Sequence, residues 1–147
     1  HVQKRFTGRT IHVNFENFVG ENEAPIYIRC NAELMRVAVQ NIIENALKYS
    51  ANETSIMVSI GFGITQTRQY ARLTVEDFGI GIAEEEQERV FEPFVRSERT
   101  YDIPGTGIGL ALVKTIITQH DGTISLKSTL NAGTIVTIML PRIQGSI

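Results

Sequence analysis

The sequence predicts an α+β protein: an α/β sandwich in which a mostly antiparallel mixed sheet of about five strands is covered on one face by three helices. Three observations carry that prediction. Several short segments alternate apolar and polar residues with period two, and residues 34–49 sort into an apolar and a polar arc at helical spacing. The chain then closes on two strand-like segments joined by Leu130-Asn131-Ala132-Gly133.

Ile11, Val13 and Phe15 alternate with His12, Asn14 and Glu16, as in a half-buried strand, and Ile26 to Ile28 form a short second one. Asn31 stands at a helix cap, ahead of a helix reaching about Ser50. Strands near Ser55–Phe62 and Tyr70–Glu76 follow, joined by a turn-rich stretch that suits a hairpin. Ala83 to Val90 reads as a short acidic helix, and Ser97 to Gly107 has no periodicity and is expected to be a mobile loop. Ile108 to His120 returns to helical spacing until Asp121-Gly122 breaks it. Thr123–Ser128 and Thr134–Leu140 are the closing strands.

The 147 residues, 42% of them hydrophobic, are enough for one core, so residues 1–147 are expected to form a single domain. A net charge of −2 gives no global field to gather nucleic acid or an acidic membrane surface, so any bound anion must be held by local geometry. Cys30 is the only cysteine, which excludes an internal disulfide and fits a reducing compartment, with cytoplasm as the default. No apolar run approaches the roughly 20 residues that span a bilayer. The polar start and the ending PRIQGSI suggest a domain taken from a longer chain.

On a wheel, Met35, Val39, Ile42, Ile43, Ala46 and Leu47 gather on one side, and Asn41, Glu44, Asn45 and Lys48 on the other, with Tyr49 at the border. Most helices have a solvated polar face. Two asparagines four apart, however, are poor helix formers, and they align with a lysine one turn later. An amide oxygen is a hard ligand suited to Mg²⁺, and a lysine ammonium is a compact charge suited to phosphate.

Three glycine-bearing segments follow. Glu76-Asp77-Phe78-Gly79-Ile80-Gly81-Ile82 comes directly after a strand; its glycines permit close backbone approach to a flat ligand, and its carboxylate can accept from an exocyclic amine such as that of adenine. Read alone, it is equally an ordinary strand-ending turn. Gly105-Thr106-Gly107-Ile108-Gly109-Leu110 runs into a helix, where free N–H groups make an anion site. It lacks the Gly-Lys-Ser/Thr ending of a Walker A loop, and Leu110 replaces the third glycine of a dinucleotide fingerprint. Asn131-Ala132-Gly133-Thr134 is a hairpin turn in which Thr134 can lend a hydroxyl.

Together these motifs resemble the catalytic and ATP-binding domain of two-component sensor histidine kinases, in the GHKL ATPase superfamily. Asn41-Ile-Ile-Glu-Asn45-Ala-Leu-Lys-Tyr-Ser looks like the N box and Asp77-Phe-Gly79-Ile-Gly81 like the G1 box. Phe91-Glu-Pro-Phe94 looks like the F box and Gly105-Thr-Gly107-Ile-Gly109-Leu like the G2 box. Four motifs in order are far more specific than one, and the likeness runs from about Ile26 to Pro141.

The resemblance implies a Bergerat-type fold with a mobile ATP lid over about Glu92–Gly107, and ATP and Mg²⁺ as cofactors. It assigns Asn45 to the metal, Lys48 to phosphate and Tyr49 to packing beside adenine, with Asn41 near the phosphates. Glu44 would orient or deprotonate the nucleophile. Asp77 would accept from adenine N6, with Gly79, Gly81 and Ile82 shaping the base pocket. Gly105, Gly107, Gly109 and Leu110 would lend backbone amides to the triphosphate, with Thr106 and Ile108 in the same loop. Arg96 would reach the phosphates, and Phe91 and Phe94 would anchor the lid.

The implied reaction is transfer of the γ-phosphoryl group to a histidine on a separate dimerisation and phosphoacceptor domain. Implied partners are that domain, through which the parent would form a homodimer, and a response regulator, with no nucleic acid; this domain alone would be monomeric and cytoplasmic. Nothing before Ile11 is long enough to be the acceptor hairpin, and His12 and His120 read as structural. Rival readings are a serine-directed kinase of the anti-sigma type, a chaperone or topoisomerase ATPase, and a binding module that has lost nucleotide. Asp121 replaces the first glycine of the family's common His-Gly-Gly turn, a change aspartate tolerates.

Overall fold

The computed structural model describes residues 9–16, 26–50, 54–64, 68–93 and 109–143. In chain order these form strands β1 (Ile11–Phe15) and β2 (Tyr27–Ile28), helix α1 (Ala32–Tyr49), and strands β3 (Ile56–Ile64) and β4 (Gln69–Asp77). A one-turn helix α2 (Glu84–Gln87), helix α3 (Gly109–Gln119) and strands β5 (Thr123–Thr129) and β6 (Gly133–Ile143) complete them. The strands join in one sheet of order β1-β3-β4-β6-β2, with β5 also on β6. β1 is parallel to β3, and the other pairings are antiparallel. β4 lines one edge of β6, so β5 and, beyond it, β2 share the other.

Register lines up apolar rows on the helix-covered face. Val58, Val75, Val136 and Leu126 form one row, and Ile60, Leu73, Ile138 and Ile124 the next. Against them α1 buries Ala38, Ile42, Ala46 and Leu47, and α3 buries Val113, Ile116 and Ile117. Each of the larger side chains contributes roughly 1.5–3 kcal/mol by leaving water. Ile42, Ala46 and Leu47 belong to the apolar arc expected from the sequence, whereas Ala38, fully buried, lies outside it. Asn31 caps the helix as expected, its Oδ1 accepting the Leu34 N–H at 3.1 Å.

Two segments depart from expectation. Val13 and Phe15 continue the two apolar rows, opposite Val58 and Ile60, yet they are 55% and 62% exposed. β1 is the edge strand, and among the described residues α1 packs on β4 rather than reaching that edge. The acidic helix expected over Ala83–Val90 is regular only from Glu84 to Gln87. Beyond it the chain continues in i→i+3 turns, Arg89 N–H to Glu86 carbonyl and Glu92 N–H to Arg89 carbonyl. Glu84 and Glu88 repel at i,i+4, and α2 buries no residue to offset this. The loop expected over Ser97–Gly107 lies outside the described residues.

α3 ends in paired bonds, Gly122 N–H to the Ile117 carbonyl and Asp121 N–H to the Thr118 carbonyl, with Asp121 left-handed at φ 59°. This is a Schellman stop in which aspartate takes the place glycine usually fills.

Candidate active site

β4 delivers Asp77 onto the covered face by the same alternation that buries Leu73 and Val75. Its register partner is Thr134, whose own partner across β6 and β5 is Ser128. The apolar rows thus end in a polar row, with Asp77 only 7% and Thr134 8% exposed. Asp77 Oδ1 accepts the Gly79 N–H at 3.0 Å, and the carboxylate also accepts the backbone N–H of Thr134. Burial is the largest influence on this carboxyl and pushes its pKa above the ordinary 3.8. The two N–H groups pull it down and neighbouring Glu76 pushes it up.

The segment after Asp77 is tied at almost every peptide. Ile80 N–H donates to the Tyr49 carbonyl at 3.2 Å, and the Ile80 carbonyl accepts from Asn131 N–H at 2.7 Å. Ile82 N–H donates to Ser128 Oγ at 2.7 Å. Gln87 Nε2 donates to both the Ile82 and Ser128 carbonyls, each at 2.9 Å. The loop is wedged between the end of α1 and the β5–β6 turn: a Cβ at Gly79 would lie 2.0 Å from the Tyr49 carbonyl oxygen. Gly81, at φ +69°, has the Thr129 carbonyl oxygen equally close. These two glycines are therefore required by the protein's own backbone contacts.

The polar arc of α1 is half-buried at Asn41, Glu44, Asn45 and Lys48 rather than fully solvated. Asn41 Nδ2 donates to the Val37 carbonyl at 2.9 Å, and its Oδ1 faces the start of α3, where a Cβ on Gly109 would lie 3.6 Å away. The N–H groups of α3's first turn, which have no partner within the helix, are thereby set beside the stripe. From Asn41 to Tyr49 the helix rises about 12 Å, linking this anion-favouring end to the Asp77 end.

Of the residues singled out in the sequence, Asp77, Gly79, Gly81, Ile82 and Thr134 meet at one place with the backbone of Tyr49. Asn41 meets Gly109, next to Leu110, and Glu44, Asn45 and Lys48 lie along the stripe between. Arg96, Gly105, Thr106, Gly107, Ile108 and Phe94 lie outside the described residues. Phe91 is half-buried with the Lys114 ammonium 5.5 Å over its ring, so Lys114, which looks like a plain surface lysine in the sequence, binds the F box to α3.

Sequence reasoning missed three supports. Ser128 is a polar residue at an inward position of β5, in phase with Ile124 and Leu126, and that phase was its signal. Gln87 carries none. Arg9 donates to the carbonyls of Leu47 and Thr54, each at 3.0 Å, and to Ser50 Oγ, capping the end of α1. His120, expected to be structural, joins the two long helices: Nε2 accepts the Asn31 N–H at 3.0 Å, and Nδ1 donates to the Ile116 carbonyl at 2.7 Å.

A sheet with helices on one face, a buried carboxylate at a strand end and a polar helix stripe beside a helix N-terminus define a nucleotide-binding sandwich. The chain belongs to the histidine kinase-, DNA gyrase B- and HSP90-like ATPase family, whose model matches residues 30–144, and within it to the sensor histidine kinase catalytic domains. It is 36% identical over 129 residues to the adaptive-response sensory kinase SasA of Gloeothece citriformis, covering 88% of this chain and 32% of that protein. The chain thus spans between a quarter and a third of the length of this and two further curated relatives. It also resembles the mycobacterial sensor histidine kinase MprB, at TM-score 0.74 and 28% identity, covering 96% of this chain and 87% of that one. Full-length ShkA in complex with AMPPNP shares the fold at TM-score 0.72 and 20% identity, over 99% of this chain and 28% of that one. No helix among the described residues is long and apolar enough to cross a membrane.

Proposed function

We propose that this chain binds Mg·ATP and transfers the γ-phosphoryl group to a histidine on a separate dimerisation and phosphoacceptor domain of its parent protein. The observation that carries the reading is the polar row at Asp77. A buried carboxylate, held by two backbone N–H groups and followed by a tied glycine loop, is an acceptor prepared for an exocyclic amine, and adenine offers one.

From that end α1 leads to the start of α3 over a length comparable to an extended nucleoside triphosphate. Lys48 and the α3 amides at Gly109 and Leu110 bind the phosphates, joined by Arg96, Gly105, Thr106, Gly107 and Ile108. Asn45 supplies an amide oxygen to Mg²⁺, an ion that takes few protein ligands and shares the rest with phosphate and water. When bound, Mg²⁺ would neutralise negative charge on the phosphates. Glu44 orients the incoming imidazole or takes its proton. Tyr49 packs beside the base and Asn41 lies near the phosphates. The protein's share of the chemistry is positioning and charge neutralisation. The complex of the similarly folded ShkA with AMPPNP supports the nucleotide, and the kinship with sensor histidine kinases supports a response regulator as downstream partner and a cytoplasmic setting.

Incubation with γ-labelled ATP and a histidine-bearing helical hairpin from the parent protein tests this. Acid-labile, base-stable label on the hairpin is expected. Acid-stable phosphoserine on a partner would move the chain to the serine-kinase branch, and calorimetry with an unhydrolysable analogue showing no heat would make it a binding module.

A further inference from the structure

Ser128 is absent from every motif, yet it closes the β5 end of the polar row, next to Thr134. Its Oγ makes three contacts: the Ile82 N–H at 2.7 Å, Thr134 Oγ1 at 2.8 Å and the Gly133 carbonyl at 3.0 Å. A serine hydroxyl has one proton and two lone pairs. An N–H can only donate, so Ile82 takes one lone pair; a carbonyl can only accept, so Gly133 takes the proton. With the proton on the Gly133 carbonyl, what remains for Thr134 is the second lone pair, and in that arrangement Thr134 is the donor. The three bonds fill the hydroxyl's capacity, so Ser128 has nothing left to offer a ligand.

The consequence falls on Thr134. With its proton directed to Ser128, its oxygen presents only lone pairs on its remaining side, and its row neighbour Asp77 presents a carboxylate. The end of the pocket then accepts hydrogen bonds and donates none through these two side chains. We propose that Ser128 is a specificity-determining positioning residue: by fixing the Thr134 hydroxyl as an acceptor it makes the base pocket favour a purine bearing an amino group at C6 over one bearing a carbonyl. This rests on the nucleotide reading of the site given above. The amine donates to the waiting acceptors, directly or through water, whereas a carbonyl oxygen meets lone pairs it cannot satisfy.

The test compares ATP with inosine triphosphate, which differ at C6 and N1 of the base, by calorimetric titration of the 147-residue chain. Wild type is expected to prefer ATP by about 100-fold, the scale set by leaving one buried polar group unsatisfied. In Ser128→Ala the Thr134 proton is freed to turn toward the ligand, and the preference is expected to fall about tenfold, mainly through tighter inosine binding. Ser128→Thr, which keeps a hydroxyl, should restore it. In a Thr134→Val background the Ser128→Ala change should leave the ratio unmoved, because the effect acts through the Thr134 hydroxyl; loss of the Ile82 anchor alone would act in both backgrounds. An ATP preference that Ser128→Ala leaves intact, or that it alters equally in the Thr134→Val background, overturns the role of Ser128 while leaving the nucleotide site standing. Wild type binding neither nucleotide overturns both.

Discussion

The two ends of the candidate site are built differently. At the Asp77 end the loop from Gly79 to Ile82 is bonded to α1, α2, β5 and the β5–β6 turn, so its acceptors are fixed before any ligand arrives. Along α1 the polar side chains sit half-buried on a helix surface, with the bond of Asn41 running back to its own Val37 carbonyl. Under the proposed function, base recognition would be a property of the framework, and the phosphate end a surface for a ligand's charge to organise. Preorganisation is the reason one end should discriminate and the other should respond to metal and salt.

The comparison breaks most visibly at Gly79. Alanine there places a methyl 2.0 Å from the Tyr49 carbonyl oxygen, and neither backbone can yield without parting the loop from α1. We expect Gly79→Ala to cost about 3 kcal/mol of stability, at the upper end for overpacking, read as a lowered denaturant midpoint. Alanine substitution of Lys48, on the open stripe, should leave the midpoint nearly unchanged.

Asp77→Asn comes next. It removes a charged acceptor and is expected to weaken ATP binding by about 100-fold, roughly 2.7 kcal/mol, in a calorimetric titration. It should not destabilise the unliganded protein at neutral pH. Because burial raises the carboxyl's folded-state pKa, its contribution to stability is fully present below the ordinary 3.8 and is lost as pH rises through the raised value. Ligand affinity should run the other way, falling as pH drops through that same raised value. Asp77→Asn should abolish this portion of the pH dependence.

The smallest effect belongs to Asp121, outside the site. A left-handed non-glycine residue is strained, so Asp121→Gly should raise stability by up to about 1 kcal/mol in thermal unfolding with ATP affinity unchanged.

Much of this architecture was legible in the sequence, for reasons particular residues show. Period-two alternation found the strands, and Asn31 fixed the start of α1 because a capping side chain leaves a chemical signature. Asp121 was legible as a stop because few residues accept its conformation. Asp77 and Gly79 were singled out by motif and Thr134 only as a turn residue, but the physical need for Gly79 was not legible: it answers to the Tyr49 carbonyl, 30 residues earlier in the chain. Gln87 and Arg9 were illegible because their roles are hydrogen bonds to distant main-chain carbonyls, which leave no pattern in one sequence. The exposure of Phe15 escaped too, since alternation marks a face and cannot tell how far helices extend over it.

The central claim is that one pocket holds the purine at Asp77 and the phosphates along Asn45 toward the start of α3. A crystal of the chain soaked with Mg²⁺ and an unhydrolysable ATP analogue tests it most directly. The account predicts the adenine amine within hydrogen-bond distance of the Asp77 carboxylate and the metal on the Asn45 amide oxygen. A nucleotide bound with its base away from Asp77, or its phosphates away from α1, would contradict it.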